Sequence, residues 1–531
     1  MSHTSEALGA SERSSSALQS AAMYAADTIA KLVECGDALD PALSAPGREA
    51  LSYQALRALR ERTARTLNAM GIGLGDRVAI VLPNGPEMAS AFLTVGSVAT
   101  AAPLNPSYRQ AEFDFYLSDL NAKALVILER MDSPARAIAS ARGIPIIELE
   151  VDPAKPAGEF SLKPLASAAA RPIRPGPAGP DDIALVLHTS GTTSRPKIVP
   201  LTHRNVTASA VNVRQTLRLT REDVCLNIMP LFHIHGLIGA VLSSIAAGAS
   251  IACAPNFDAL KFFRWLAETN PTWYTAVPTM HQTILGRAAR NAEIIAAGRL
   301  RLIRSSSSSL PPQAMQELEK VFGVPVLESY GMTEAAHQIA SNPLPPRERF
   351  AGSVGIAAGP EIAIVNDAGA LLNANDIGEV VIRGRNVTAG YENNPEANAK
   401  AWTNGWFRTG DQGYLDQAGY LRLTGRLKEM INRGGEKISP VEIETALLDH
   451  PSVAQAAAFA MPHPMLGEEV AAAVVLREGV IAGEHELREF VSVRLAHFKV
   501  PRKIVFLDAI PKGPTDKLQR IGLAKVLGLE T

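Results

Sequence analysis

The residues best suited to do chemistry crowd into one short stretch, LHTSGTTSRPKIVPLTH, from Leu187 to His203. An apolar run delivers Thr189, Ser190, Gly191, Thr192 and Thr193, and Lys197 follows. Successive backbone N–H groups, hydroxyls and a point cation make a nest that suits a cluster of anionic oxygens such as a triphosphate. The Walker spacing is absent, however, and hydroxyl-rich loops are most often only turns. Taken alone, the stretch leaves both readings open.

Four further strings follow it in the chain: SYGMTE (Ser329 to Glu334), WFRTGD (Trp406 to Asp411), GRLKEMINRGGEKISPVEIE (Gly425 to Glu444) and PKGPTDKLQR (Pro511 to Arg520). With TSGTT they resemble, in type and in order, the motifs of the adenylate-forming superfamily of acyl-CoA synthetases, luciferases and nonribosomal adenylation domains. The resemblance covers the chain from about residue 185 to its end, and so ordered a set does not arise by chance. Two positions depart from the family pattern. Ser194 stands where a glycine is usual in the phosphate loop, and Asp516 where a glycine commonly precedes the last lysine.

The resemblance implies a role for each residue. The loop Thr189 to Thr193, with Lys197, would hold the β- and γ-phosphates of ATP, and Glu328, Ser329 and Tyr330 would lie against the nucleotide. Glu334 would hold Mg2+, a hard ion that takes carboxylate and phosphate oxygens, and Thr333 would contact the α-phosphate. Asp411 would accept the ribose hydroxyls, with Arg426 as a second ribose or phosphate contact. Lys517 would offset charge where the acid attacks phosphorus. Lys428 falls at the hinge, about which a small domain would rotate. That rotation would bring Arg433, Gly434, Gly435 and Lys437 toward the CoA arm, the glycines allowing close approach.

Three positions speak to the acid: His233 in PLFHIHG, Ser307 in RSSSSSLPP and His337 in MTEAAHQIASNPLP. A buried donor without a partner costs about 1–3 kcal/mol, so two histidines and a serine call for a polar or anionic acid. Within the superfamily these strings are most similar to oxalate–CoA ligases. The expected reaction is ATP-dependent activation of a small carboxylic acid, oxalate first, and its transfer to CoA with release of AMP and pyrophosphate. Malonate, short or medium-chain fatty acids, and loading of a carrier protein are the alternatives.

The elements that must position these residues alternate. DRVAIVLPNGPEMASAFLTVGSVATAAPLN (76–105) runs strand, turn, helix, turn; KALVILE, TWYTAVP and LRLIRSSS are further β-rich runs separated by helix-like ones. Such alternation implies sheets covered by helices. The Pro-, Ala- and Gly-rich segment 152–182 reads as a surface connection. Beyond residue 376 short strands and glycine turns suggest a β-rich subdomain, and after Gly425 a last unit begins, with SPVEIETALLDH as a capped helix. With the resemblance, the fold class is α/β: a large N-terminal domain (1–425) of two αβ-layered sheets plus a small β-rich subdomain, and a small mobile α+β C-terminal domain (426–531). Residues 1–25 read as a loose tail.

Composition narrows the partners. The 531 residues carry 52 basic and 53 acidic side chains, so no overall field favours nucleic acid. Three cysteines, Cys35, Cys225 and Cys253, form no CxxC pair, which fits a reducing cytoplasm. The N-terminus does not read as a secretory signal. The uncharged run from Cys225 to Phe257 is broken by Pro230, His233, His235 and glycines, so it predicts a buried core helix rather than a membrane span. A monomer or homodimer is expected.

Overall fold

The computed structural model describes residues 24–165, 171–189, 196–511 and 518–529. Ser190, Gly191, Thr192, Thr193 and Lys517, and nearly all of the expected tail, lie outside the described residues.

Two large sheets organise the chain up to Ala357. The first has seven strands, in the order Ser161–Pro164, Ile146–Glu150, Ala124–Leu128, Arg77–Val81, Thr100–Pro103, Ile183–Thr189, Lys197–Thr202. Its interior pairs are parallel and its two edge pairs antiparallel. The second has nine strands, with Leu302–Ser305 between Trp273–Ala276 and Val326–Met332. All three are fully buried over most of their length, as expected of parallel strands covered on both faces. Helices Pro86–Val95 and His203–Thr216 contact both sheets and are buried on nearly every side. Their small residues, Ala89, Ala91, Ala208 and Ala210, allow that sandwiching. Thr202 starts the second helix with a reciprocal cap: its hydroxyl accepts from Asn205 N at 3.1 Å, and Asn205 Oδ1 accepts from Thr202 N at 2.9 Å.

The short strands expected beyond residue 376 form a five-stranded antiparallel sheet, but it starts earlier, at Glu361–Val365. Its long strand Trp406–Leu415 pairs with Leu421–Arg426 so that Asp411 stands opposite Arg426. After residue 430 a separate five-stranded sheet, built around the hairpin of Val453–His463 and Gly467–Leu476, has its own core of Ile431, Ile443, Leu447, Val470 and Leu487.

Three expectations need correction. The uncharged run is not one helix: it is a strand (Val224–Asn227), a π-helix (His235–Leu242), a short α-helix (Ser243–Ala246) and a strand (Ser250–Cys253). No helix among the described residues is long and apolar enough to cross a membrane. The 152–182 connection contributes the edge strand Ser161–Pro164. Ser439 does precede helix Pro440–Leu448, but its hydroxyl donates to the Thr424 carbonyl instead of capping the helix.

Candidate active site

A cavity of about 220 Å3 lies where the nine-stranded sheet, the β-rich sheet and the C-terminal unit meet. Tyr330, Asp411 and Arg426 line it together with Ser307, Glu444 and Arg520. The cross-strand register sets the Asp411–Arg426 pair, with Arg426 Nε donating to Asp411 Oδ1 at 3.1 Å. Tyr330, at the end of strand Val326–Met332, donates its hydroxyl to Asp411 Oδ2. Burial pushes the Asp411 carboxyl up, and Arg426 opposes that shift. A carboxylate presented in this way accepts paired hydroxyls.

Beside it, Glu334 is buried in the 3-10 turn Thr333–Ala335, its backbone carbonyl receiving Thr388 N at 2.7 Å. Tyr391 OH donates to Glu334 Oε1 at 2.7 Å, and Lys197 Nζ stands 4.3 Å from the centroid of the Tyr391 ring. Burial raises the Glu334 carboxyl. Burial lowers the Lys197 ammonium, and Lys428 adds to that shift by like-charge repulsion, so two cations face the same space. Glu328 behaves otherwise. Its Oε1 accepts from Leu310 N at 2.8 Å, Oε2 has no partner among the described residues, and burial lifts the carboxyl to about 8. The side chain is thus a neutral internal brace at neutral pH; its neighbours Ser329 and Tyr330 line the cavity.

Ser307 joins this cavity to a second, fully buried group. His235 Nδ1 lies 3.0 Å from Ser307 Oγ, and His235 Nε2 lies 2.7 Å from Thr275 Oγ1. The ring stacks on His337 at 5.0 Å and 18°. Arg304 spans the pair, with Nη1 3.4 Å from His235 Nε2, Nη2 2.9 Å from His337 Nε2 and 3.3 Å from Gln338 Oε1. Because a guanidinium only donates, His337 Nε2 must accept. The same role at His235 Nε2 leaves its Nδ1–H to donate to Ser307, whose own proton can then point toward the cavity. No carboxylate among the described residues pairs with Arg304, and its Nε is buried without a partner. Burial drives the guanidinium down to about 9.

The backbone around this group is strained: Ser307, Ala336 and His337 have φ of 77°, 48° and 103°. Such conformations in non-glycine residues mark functional sites when the surroundings hold them. Two glycines make room. A Cβ on Gly331 would stand 1.7 Å from the His337 carbonyl oxygen, and one on Gly239 would stand 2.6 Å from His337 Nε2.

Of the acid residues expected from sequence, Ser307 and His337 meet here. His233 lies two residues before the ring that contacts them, its Nδ1 accepting from His235 N at 3.3 Å. Sequence reasoning missed His235, Arg304 and Tyr391. The signals were the second histidine of FHIHG and an arginine inside a strand otherwise buried on both faces. Arg433, Gly434, Gly435 and Lys437 form an exposed hairpin outside the cavity lining, where Arg433 Nε pairs with Glu469 at 2.6 Å. Among the described residues no cluster of three His, Cys, Asp or Glu could cage a metal.

A carboxylate and an arginine on one hairpin thus face a cavity that the small C-terminal unit helps to line. By sequence the chain belongs to the AMP-binding enzyme family, which matches residues 37–392, and that family's C-terminal domain matches residues 442–517. It is an acid–CoA ligase that uses ATP and CoA. Its relatives include the oxalate–CoA ligase of Arabidopsis thaliana, 46% identical over 90% of this chain and 94% of that protein. The oxalate–CoA ligase of Saccharomyces cerevisiae is 42% identical over 85% and 86%. The ATP-bound structure of MatB from Rhodopseudomonas palustris superposes with a TM-score of 0.84 at 30% identity, covering 94% of this chain and 98% of that one. The apo form of the same protein gives 0.75 over the same span.

Proposed function

We propose that the acid is oxalate, and that the chain joins it to CoA in two half-reactions. The observation that carries this reading is the buried Arg304, a cation whose partners are two histidines and an amide rather than a carboxylate. A buried cation left uncompensated costs several kcal/mol, in the range of about 3–5, so the site is built to receive an anion. The group is walled by packed rings and strand backbone, which suits the smallest dicarboxylate. One carboxylate would sit on Arg304, His337 and the Ser307 hydroxyl. The other would reach past Ser307 into the cavity that Asp411 lines, and there attack the α-phosphorus of ATP as the bond to pyrophosphate breaks. In the second half-reaction the CoA sulfur adds to the activated carbonyl and AMP leaves.

The remaining roles are those the motifs imply. Asp411 holds the ribose, oriented by Tyr330 and Arg426. Lys197 and Lys428 face the phosphates with the loop Ser190–Thr193, and Thr333 lies at the α-phosphate. Lys517 serves adenylation; its neighbour Leu518 lines the cavity with Asp411, which supports that reading. Glu334 would hold Mg2+: one buried carboxylate beside a phosphate site fits an ion that completes its shell from phosphate and water. When bound, the ion would neutralise charge on the β- and γ-phosphates. The C-terminal unit from residue 426 would turn about Lys428 and bring the Arg433–Lys437 hairpin to the CoA arm. The better match to the ATP-bound relative supports an adenylation-state arrangement here.

The test is AMP release with CoA across oxalate, malonate, glyoxylate, acetate and octanoate. Oxalate should give the highest kcat/KM. Malonate ahead of oxalate would keep the anion receptor and reject the assigned acid; octanoate or acetate ahead would reject both.

A further inference from the structure

The segment 385–392 bonds to the elements that carry Lys197 and Glu334 without lining the cavity itself. Asn205 Nδ2 donates to the Arg385 and Val387 carbonyls at 2.8 and 3.0 Å. Asn386 Nδ2 donates to the Ala335 and Gln338 carbonyls, both at 2.8 Å. Thr388 donates from its backbone to the Glu334 carbonyl and from its hydroxyl to the Pro200 carbonyl at 2.9 Å. Glu392 N then reaches the Ile198 carbonyl at 3.1 Å. The strap therefore stitches the strand of Lys197 to the turn of Glu334, two parts of the chain 137 residues apart in sequence.

Tyr391 is the residue through which the strap acts on both charges. Its hydroxyl donates to Glu334 Oε1 at 2.7 Å, and its ring lies 4.3 Å from Lys197 Nζ. Its own backbone is fixed at both ends by one side chain: Asn398 Oδ1 accepts from Tyr391 N, and Asn398 Nδ2 donates to the Tyr391 carbonyl, each at 2.7 Å. Asn398 belongs to helix Pro395–Ala401, capped by Asn394. Phe407 packs against the ring at 6.3 Å. A rigid phenol that occupies one oxygen of a carboxylate sets that carboxylate's rotation and so the direction of its other oxygen. The aromatic face meanwhile holds an ammonium by its quadrupole.

We infer that Tyr391 is a positioning residue that aims the Glu334 carboxylate at the divalent cation and registers Lys197 against the same phosphates, coupling metal and nucleotide binding. The inference rests on the reading of Glu334 as the metal-holding residue. Partners that orient a metal-ligating carboxylate typically change metal affinity by about 10–100-fold when removed. Tyr391→Phe keeps the ring under Lys197 and removes only the hydroxyl.

The experiment titrates Mn2+ into the full chain with a non-hydrolysable ATP analogue, reading free Mn2+ by its electron paramagnetic resonance signal, alongside the melting temperature. Glu334→Gln is run in parallel. Tyr391→Phe should raise the Mn2+ dissociation constant by about tenfold with an unchanged melting temperature. Its acid-dependent pyrophosphate exchange should recover at high Mg2+. Tyr391→Leu should also weaken the analogue in the absence of metal, since Lys197 loses its platform. Asn398→Ala, which loosens the Tyr391 backbone and alters neither charge, should shift Mn2+ affinity in the same direction. The inference is overturned if Glu334→Gln loses Mn2+ while Tyr391→Phe and Asn398→Ala bind it within twofold of the unsubstituted chain. If Glu334→Gln itself binds Mn2+ normally, the metal assignment fails and the inference falls with it.

Discussion

At the scale of single residues the decisive group is Arg304. Its guanidinium is held at about 9 by burial, so it is charged at neutral pH and loses its proton as pH passes that value. With oxalate as substrate, kcat/KM should be flat near neutrality and fall above about pH 9, because this parameter reports the free enzyme's groups. The KM for ATP should not follow the same profile. Arg304→Lys keeps a charge but loses the fork that spans His235 and His337. Steady-state assays should show kcat/KM for oxalate lower by about 100-fold, equivalent to one charged hydrogen bond of about 2.7 kcal/mol, with ATP affinity retained. Ser307 and His337 could be picked from the sequence by the motifs they stand in, and the structure brings both to the ring of His235. Arg304 could not be picked so easily, because an arginine in a β-rich string normally lies at a surface, and only the strands on either side show that this one is enclosed.

At the scale of elements, the π-helix His235–Leu242 does what an α-helix there would not. Its wider turn places His235 toward Ser307 while Gly239 leaves room for the His337 ring. Gly239→Ala puts a methyl against a fixed ring and a guanidinium, both fully buried, so neither can yield cheaply. The expected cost is about 1–3 kcal/mol of stability in denaturant unfolding, with oxalate turnover reduced more than ATP binding. A second element-scale prediction concerns acid. His203, whose Nδ1 accepts from Ile29 N at 3.1 Å, and His281 are both held down to about 4 by burial. Each is a base with a depressed folded value, so the unfolded chain binds more protons below about pH 6.5. The stability these two histidines carry is therefore greatest above 6.5 and declines toward pH 4; because the raised carboxyl of Glu328 works in the opposite sense, the test is the difference between chains, and His203→Gln should gain on the unsubstituted chain in urea unfolding as pH falls through that window. Neither the π-helix nor the two strands flanking it were legible in the sequence, since an uncharged apolar run fits any buried helix and Val224–Asn227 and Ser250–Cys253 hold one β-branched residue each.

At the scale of the whole molecule, the C-terminal unit has its own sheet and core, and among the described residues its polar contacts with the rest include Ser439 with Thr424 and Gln313 with Asp449. Arg520 anchors the end of the chain within that unit, donating to both oxygens of Glu444 at 2.7 Å and to Glu429 at 2.9 Å. On the proposed reading this unit turns as a body and carries Lys517 with it. Lys517→Ala should abolish acid-dependent pyrophosphate exchange yet leave most of the thioester formation from preformed oxalyl-AMP. Equal loss in both assays would refute the two-orientation reading.

The sequence alone determined the chemistry's vocabulary: ordered motifs, a strand-and-helix alternation and a style change near residue 376 were enough for an α/β adenylate-forming acid–CoA ligase. These are local properties, since turn residues, periodicity and short motifs are written in consecutive positions. Tertiary structure alone decided the meetings: Arg304 with His235 and His337, Asp411 with Tyr330, and Tyr391 between Glu334 and Lys197. Each joins residues on different elements, and whether a charge is buried, paired or left to wait for a ligand depends on what packs around it, which no neighbour in sequence can specify.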